Sequence, residues 1–379
     1  MSAFRRTFFV RKMKKIIGFF KGNAVLTISL AVAVISAFIV PPNKDYIGYV
    51  DVPVIILLFC LMAAVAGLRG IGVFDALSRK LLSKTCSTRM IAFILMNLCF
   101  FVSMLVTNDV ALITFVPLTI GLYAGSTMSS QLIMTIVIET AAANLGSMMT
   151  PIGNPQNLFL FRHFEMNGSE FISAVLPLGI VSYAMLCIAV LLVKKDDLPS
   201  PDDASSIRAG WRLWVYAAVF VICVLSVADI ISAYICLAVT VIAMLAADVR
   251  LFSKIDYPLL LTFVCFFVFV GNLGNIPAVE QFITQLLAGR ELLVSAALSQ
   301  VISNVPAAAM LADFTDNATE LLHGVNIGGL GTPVASLASL ISYRFYCAAK
   351  DARKGRYMLV FLAVNFAMLT VLMLFGIIL

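Results

Sequence analysis

Charge is what this chain has least of. Lys, Arg, Asp and Glu make up 12% of its 379 residues, where a soluble domain carries about a quarter. One clear hydrophilic linker, KKDDLPSPDDASSIRAG at 194–210, interrupts the apolar sequence, and no room is left for a separate soluble domain. No His-rich, DxxD-type or Ser/His/Asp constellation lies in the apolar core, which argues against a membrane-embedded enzyme. The eight cysteines are scattered without CxxC or Cys/His spacing. They read as packing residues and not as metal ligands or a disulfide frame. A net charge of +6 would suit nucleic acid, but the basic residues fall in short loops, where membrane orientation accounts for them without a nucleic-acid partner.

Apolar side chains fill the rest. Hydrophobic residues are 61% of the chain and mean hydropathy is +1.03. Uncharged runs long enough to cross about 30 Å of hydrocarbon recur throughout. The expected class is an all-α membrane protein whose main partner is the lipid bilayer.

Within those runs one stretch occurs twice. NLGSMMTPIGNPQNLFLFR at 144–162 returns as NIGGLGTPVASLASLISYR at 326–344, without a gap, at an offset of 182. Asn144 falls on Asn326, Gly146 on Gly328, Thr150-Pro151 on Thr332-Pro333 and Arg162 on Arg344. Asn154 and Asn157 meet Ser336 and Ser339. A helix in lipid can break at Gly and Pro only where protein or a water-filled cavity satisfies the freed backbone. Two such breaks at matching places in two halves point to a transporter binding site.

The surrounding sequence divides accordingly. Residues 1–23 are a basic N-terminus, read as a retained anchor region and not a cleaved signal, because the run after it has a partner in the second half. Residues 24–193 form a first repeat, 194–229 a linker with an extra helix, and 230–379 a second repeat. Spans are expected at 24–40, 52–68, 131–163, 171–193, 211–228, 230–247, 257–273, 324–347 and 357–379, nine in all. The third and eighth are broken. Two apolar stretches, 90–122 and 292–322, carry polar tips at Thr107-Asn108-Asp109 and Ser303-Asn304-Val305-Pro306 and read as re-entrant hairpins. Asp51-x-Pro53 and Asp256-x-Pro258 look like helix caps.

Charge supports this count. Regions 1–23, 69–89, 194–212, 248–255 and 350–356 would face the cytoplasm and hold 7, 5, 4, 2 and 4 of the 26 lysines and arginines. The extra helix at 211–228 turns the second copy over, giving an inverted repeat. The expected location is the inner membrane, multi-pass, with a cytoplasmic N-terminus.

The candidate site residues are Thr107, Asn108, Asp109, Asn144, Thr150, Asn154, Asn157, Ser303, Asn304, Asn326, Thr332, Ser336 and Ser339. Half-helix N-termini suit an anion, and unwound carbonyls suit a sodium ion or a proton donor. Singly, each polar residue reads as a cap or an interhelical hydrogen bond; recurrence in two copies favours a site. Asp109 is the sharpest, since a carboxylate near mid-membrane costs roughly 2.5–3.5 kcal/mol. It reads as a proton or sodium site, or else as a hairpin cap. Glu139 either shares the proton role or faces a neighbouring helix. His163 and His323 are expected at outer helix ends as interfacial packing, and Arg162 and Arg344 as interfacial anchors or as cations that attract an anion toward the cavity.

TNDVALITFVPL at 107–118, NLGSMMTPIGNPQNL at 144–158, SNVPAAAML at 303–311 and NIGGLGTPVASLASL at 326–340 resemble the ion transporter superfamily, particularly its citrate-transporter-like and arsenite-permease-like members. The resemblance covers about residues 24 to 379. It implies a secondary carrier, often a homodimer, in which a transport domain moves against a scaffold. In the sodium-coupled dicarboxylate branch both tips read Ser-Asn-Thr, and they contact substrate carboxylates and frame sodium sites. Asn108, Ser303 and Asn304 match that pattern, while Asp109 and Val305 depart from it. The expected function is secondary transport of a small anion, a di- or tricarboxylate or an inorganic oxyanion, coupled to H+ or Na+. No cofactor or metal is expected beyond Na+ as a coupling ion. Alternatives are a Na+/H+ antiporter, an arsenite efflux carrier and a passive anion channel.

Overall fold

The computed structural model describes residues 24–44, 46–82, 87–124, 129–197, 210–349 and 352–379. The basic N-terminus and most of the polar linker lie outside the described residues, as does Cys86. Among the described residues every regular element is helical, apart from one isolated bridge between Ser87 and Asp197.

The helices follow in order as α1 Ala24–Ile39, α2 Tyr46–Tyr49, α3 Val52–Gly70, α4 Val73–Leu82, α5 Thr88–Val106, α6 Asn108–Leu122, α7 Ser129–Ser147, α8 Pro155–His163 and α9 Gly168–Leu191. After the linker come α10 Trp211–Val227, α11 Ala233–Ala247, α12 Tyr257–Gly274, α13 Pro277–Leu287, α14 Glu291–Ile302, α15 Asn304–Leu311, α16 Ala318–Ile327, α17 Leu337–Ala348 and α18 Lys354–Ile378. Five of these (α3, α5, α9, α12 and α18) are each long and apolar enough to cross a membrane. The pair α13 and α14, bent by 112°, makes a sixth if counted as one.

Short polar signals set the helix starts. Asp51 and Asp256 each accept a backbone N–H, from Val54 and Leu259, at 3.0 Å, and a proline follows in the first turn. These are caps, as the Asp-x-Pro spacing predicts. Asn154 starts α8 by accepting the Asn157 N–H at 2.8 Å, with Pro155 next. Asn167 and Glu170 close a capping box at the start of α9.

Two apolar clusters make the interior. One joins α3, α8, α10, α11, α12, α15 and α16; the other joins α5, α6, α7, α18 and the second half of α9. Cys60, Cys223 and Cys236 are buried in the first, with Cys236 Sγ 3.6 Å from Cys223 Sγ. Contacts between the halves are reciprocal: α6 packs on α17 and α15 packs on α8. Within each half, the first arm of the polar-tipped pair lies along the broken helix, α5 on α7 and α14 on α16.

His323 departs from expectation. It is buried and its Nε2 donates to the Ala174 carbonyl at 2.8 Å. Because α16 packs directly on α9, this turn faces protein and not an interface. Arg162 pairs with Asp229, in the turn between α10 and α11.

Close approach of α5 to α7 requires Gly146. A Cβ there would overlap the backbone of Phe100, and a Cβ on Gly328 would sit 2.8 Å from Ala296 Cα. Backbone cannot yield as a flexible side chain can. Gly146→Ala is therefore expected to lower stability by about 1–3 kcal/mol, read as a lower Tm in detergent; an unchanged Tm contradicts the packing described.

Candidate functional site

Four interruptions meet in the middle of the molecule: the tips between α5 and α6 and between α14 and α15, and the breaks between α7 and α8 and between α16 and α17. At both tips the chain turns on a non-glycine residue with positive φ, Thr107 (78°) and Ser303 (81°). Such a backbone costs on the order of 1–3 kcal/mol and persists only when its surroundings hold it.

The holding contacts are the same in both halves. The Asn108 N–H donates to the Gly153 carbonyl at 3.2 Å, and the Asn304 N–H to the Ala335 carbonyl at 2.9 Å. The Ser303 hydroxyl also reaches Ala335, at 3.3 Å. The Thr150 hydroxyl donates to the Met104 carbonyl, and the Thr332 hydroxyl to the Gln300 carbonyl at 3.0 Å. Gly153 and Ala335, and Thr150 and Thr332, are equivalent in the repeat. Each tip is thus pinned to its own break.

Side chains then join one half to the other. Asn144 Oδ1 accepts from Asn108 Nδ2 at 3.0 Å and from the Ser336 hydroxyl at 2.9 Å, while its Nδ2 donates to Ser339 Oγ at 3.3 Å. Asn326 mirrors this. Its Oδ1 accepts from Asn154 Nδ2 at 3.2 Å, and its Nδ2 donates to Asn157 Oδ1 at 2.7 Å and to the Leu322 carbonyl at 2.9 Å. The pairs 144–336 and 326–154 exchange under the repeat, as do 144–339 and 326–157. Such reciprocity is what a two-fold relation between the halves produces. All seven side chains are buried.

A cavity of about 820 Å³ reaches this network from one end of the molecule. Its inner wall carries Thr107, Asp109, Asn154 and Pro155, so the N-terminal turns of α6 and α8 both face it. Its mouth carries Arg69, Arg250, Lys254, Asp248 and Asp256. Arg69 Nη2 donates to the Ile113 carbonyl at 3.3 Å, while Asp248 and Asp256 accept local backbone N–H groups. A second cavity of about 420 Å³ lies against Tyr49, Asp51, His163, Phe267, Gly271 and Asp313 and touches none of the network.

Of the thirteen candidate residues, Thr107, Asp109 and Asn154 line the larger cavity. Asn108, Asn144, Asn157, Asn326, Ser336 and Ser339 lie behind them in the network. Ser303 and Asn304 hold the second tip, and Thr150 and Thr332 tie breaks to tips. Asp109 caps nothing: its Oδ1 is buried without a hydrogen-bond partner. Glu139 is fully buried, away from the cavity, accepting from the Thr119 hydroxyl with its Oε2 unpartnered.

Sequence reasoning missed Gln300 and the charged mouth. Gln300 Nε2 donates to the carbonyls of Gly328 at 2.8 Å and Leu330 at 2.9 Å, and its Oε1 accepts the Thr332 N–H at 2.9 Å. The available signal was a polar residue three positions before the second tip where the first half has Met104.

Comparison with known proteins decides the family. The family described as citrate transporter matches residues 22–327. The chain belongs to the citrate transporter family. The match spans both tips and the first break, ending where α16 ends. A relative named as a transporter from Methanocaldococcus jannaschii is 33% identical over 339 residues, 89% of this chain and 92% of its own. The inner membrane protein YbiR of Escherichia coli is 28% identical over 348 residues, 88% of this chain and 90% of its own. A silicon efflux transporter of Oryza sativa subsp. japonica is 27% identical over 164 residues, 42% of this chain and 33% of its own.

In this member of the citrate transporter family the Asn157–Asn326 contact is buried, so truncating one partner strands the other. Asn157→Ala and Asn326→Ala are each expected to cost about 1–3 kcal/mol. The double variant should cost less than the sum, with a coupling of about 0.5–3 kcal/mol in a thermal or denaturant cycle. Strict additivity would contradict the shared network.

Proposed function

We propose that the protein is a secondary active transporter that carries a small anion, a di- or tricarboxylate or an inorganic oxyanion, coupled to H+ or Na+. The observation that carries this reading is the one-sided cavity. It ends on two helix N-termini and the unpartnered oxygen of Asp109, while the opposite cavity stops short of the same network. A passive pore would need access from both ends at once. Helix N-termini present partial positive charge, which favours an anion. The names of the family and of the rice relative put citrate and silicon among the cargoes of similar proteins.

In this reading the chain makes nine crossings, with α5–α6 and α14–α15 as hairpins that return to their own side, and the second half is inverted. The mouth holding Arg69, Arg250 and Lys254 then faces the cytoplasm, as the positive-inside bias requires. The cationic side chains there raise the local concentration of an anion. Thr107, Asn154 and the α6 and α8 N-termini receive it, and Asp109 holds the coupling ion. Movement of the network between the two vestibules would give alternating access. The inner membrane, with the N-terminus in the cytoplasm, is the location that fits the loop charges.

The test is uptake into proteoliposomes with an imposed pH or sodium gradient, offering citrate, phosphate and arsenite. The wild type is expected to concentrate an anion only with a gradient. Asp109→Asn should fold with an unchanged elution profile and lose gradient-driven accumulation. Normal pH-dependent uptake by that variant removes Asp109 from the mechanism. Gradient-independent flux by the wild type would make the protein a channel.

A further inference from the structure

At each helix break one side-chain amide nitrogen sits among three backbone carbonyls. Asn157 Nδ2 lies 3.1 Å from the Met148 carbonyl, 3.1 Å from that of Thr150 and 3.4 Å from that of Ser147. Gln300 Nε2 lies 2.8 Å from the Gly328 carbonyl and 2.9 Å from that of Leu330 at the break, and 3.2 Å from that of Ala296 one turn back on its own helix α14. Met148 and Leu330 are equivalent in the repeat, so the same carbonyl is held in both halves. It is held from different places. Asn157 follows its break, whereas Gln300 sits on the arm before the second tip. The position matching Asn157 is Ser339, which is too short to span the break, and the position matching Gln300 is Met104, which has no donor. Each half therefore has one amide for this task.

The amide orientations are fixed from the other side. Gln300 Oε1 accepts the backbone N–H of Thr332 at 2.9 Å, and Asn157 Oδ1 accepts Asn326 Nδ2 at 2.7 Å. The NH2 ends must then face the carbonyls. Converging carbonyls from unwound helix are the donor set that binds Na+ in carriers with broken helices. Here an NH2 group, with two protons and partial positive charge, occupies the point where their lone pairs converge.

We propose that the amides of Asn157 and Gln300 take the place of a cation at the two breaks, so that Na+ has no site at either and removing the amide protons creates one. Cation binding at the breaks is read without transport and does not rest on the carrier reading above.

The experiment compares Tm of the purified full-length protein in NaCl and in choline chloride at equal ionic strength, for Asp109→Asn and for Gln300→Glu in that background. Asp109→Asn removes the carboxylate proposed to hold the coupling ion, so any remaining Na+ response belongs elsewhere. A glutamate at 300 keeps the length but brings no protons to the carbonyls. The Asp109→Asn Tm is expected to be the same in both salts. The double variant should melt lower than Asp109→Asn in choline and recover saturably with Na+, since a ligand that binds only the folded state raises Tm. A saturable Na+-dependent rise in Asp109→Asn overturns the proposal, as does a double variant that matches Asp109→Asn in both salts. Should the double variant fail to fold, Asn157→Asp in the same background makes the same comparison at the first break, and the Asp109→Asn titration still decides. Loss of all uptake by the wild type in vesicles would remove the carrier reading and leave the Tm result standing. A Na+-stabilised Asp109→Asn variant would overturn the amide assignment and leave the carrier reading standing.

Discussion

The constraint that shapes this molecule is that backbone released from a helix inside an apolar interior must find a partner. An unpaired buried N–H or carbonyl costs a few kcal/mol, and hydrocarbon offers nothing in return. The two breaks release such groups at 148–154 and 328–336. Local turns recover some of them, as with Met149 N–H to Gly146 and Leu330 N–H to Ile327. Asn157 and Gln300 recover carbonyls from the side, and the tips recover Gly153 and Ala335 through their first helical N–H. The strained turns at Thr107 and Ser303 follow from this. Each tip must bend sharply to aim an N–H at its break, and the bond it makes offsets part of the strain.

Once the breaks are satisfied, little of the polar inventory is left facing open space. Most polar atoms of the network asparagines and serines are hydrogen-bonded to one another or to freed backbone, so the centre is neutral and self-satisfied. What remains open is one wall, with Thr107, Asp109, Asn154 and two helix N-termini. On the proposed reading, the cargo meets partial positive charge from the backbone and the coupling ion meets a single carboxylate. The second half offers Val305 where the first has Asp109, so the reciprocity that builds the centre ends at the ionisable group.

Much of this was legible in the chain. The two copies of Asn-x-Gly with a later Thr-Pro stood out because Gly and Pro interrupt apolar runs where little else does. The Asn and Ser positions followed from the gapless offset, and the Asp-x-Pro caps from spacing alone. Other parts were not legible. Gln300 sits on an apolar arm opposite Met104, and its role depends on which break its arm packs against, a tertiary fact. His323 looked like an end-of-helix residue because sequence does not say that α16 packs on α9. Which end of the molecule opens toward Asp109 depends on how the two apolar clusters sit against each other. Neither periodicity nor composition carries that.

On the proposed reading the two halves face opposite ways while sharing one centre. Single cysteines at Ala124, beyond the first hairpin, and at Asp316, beyond the second, can be labelled with a membrane-impermeant thiol reagent on a background lacking reactive native cysteines. In right-side-out and inside-out vesicles the two positions must react from opposite faces, Ala124 from the cytoplasmic face and Asp316 from the other. Labelling of both from the same face would contradict the inverted arrangement and the shared site built on it.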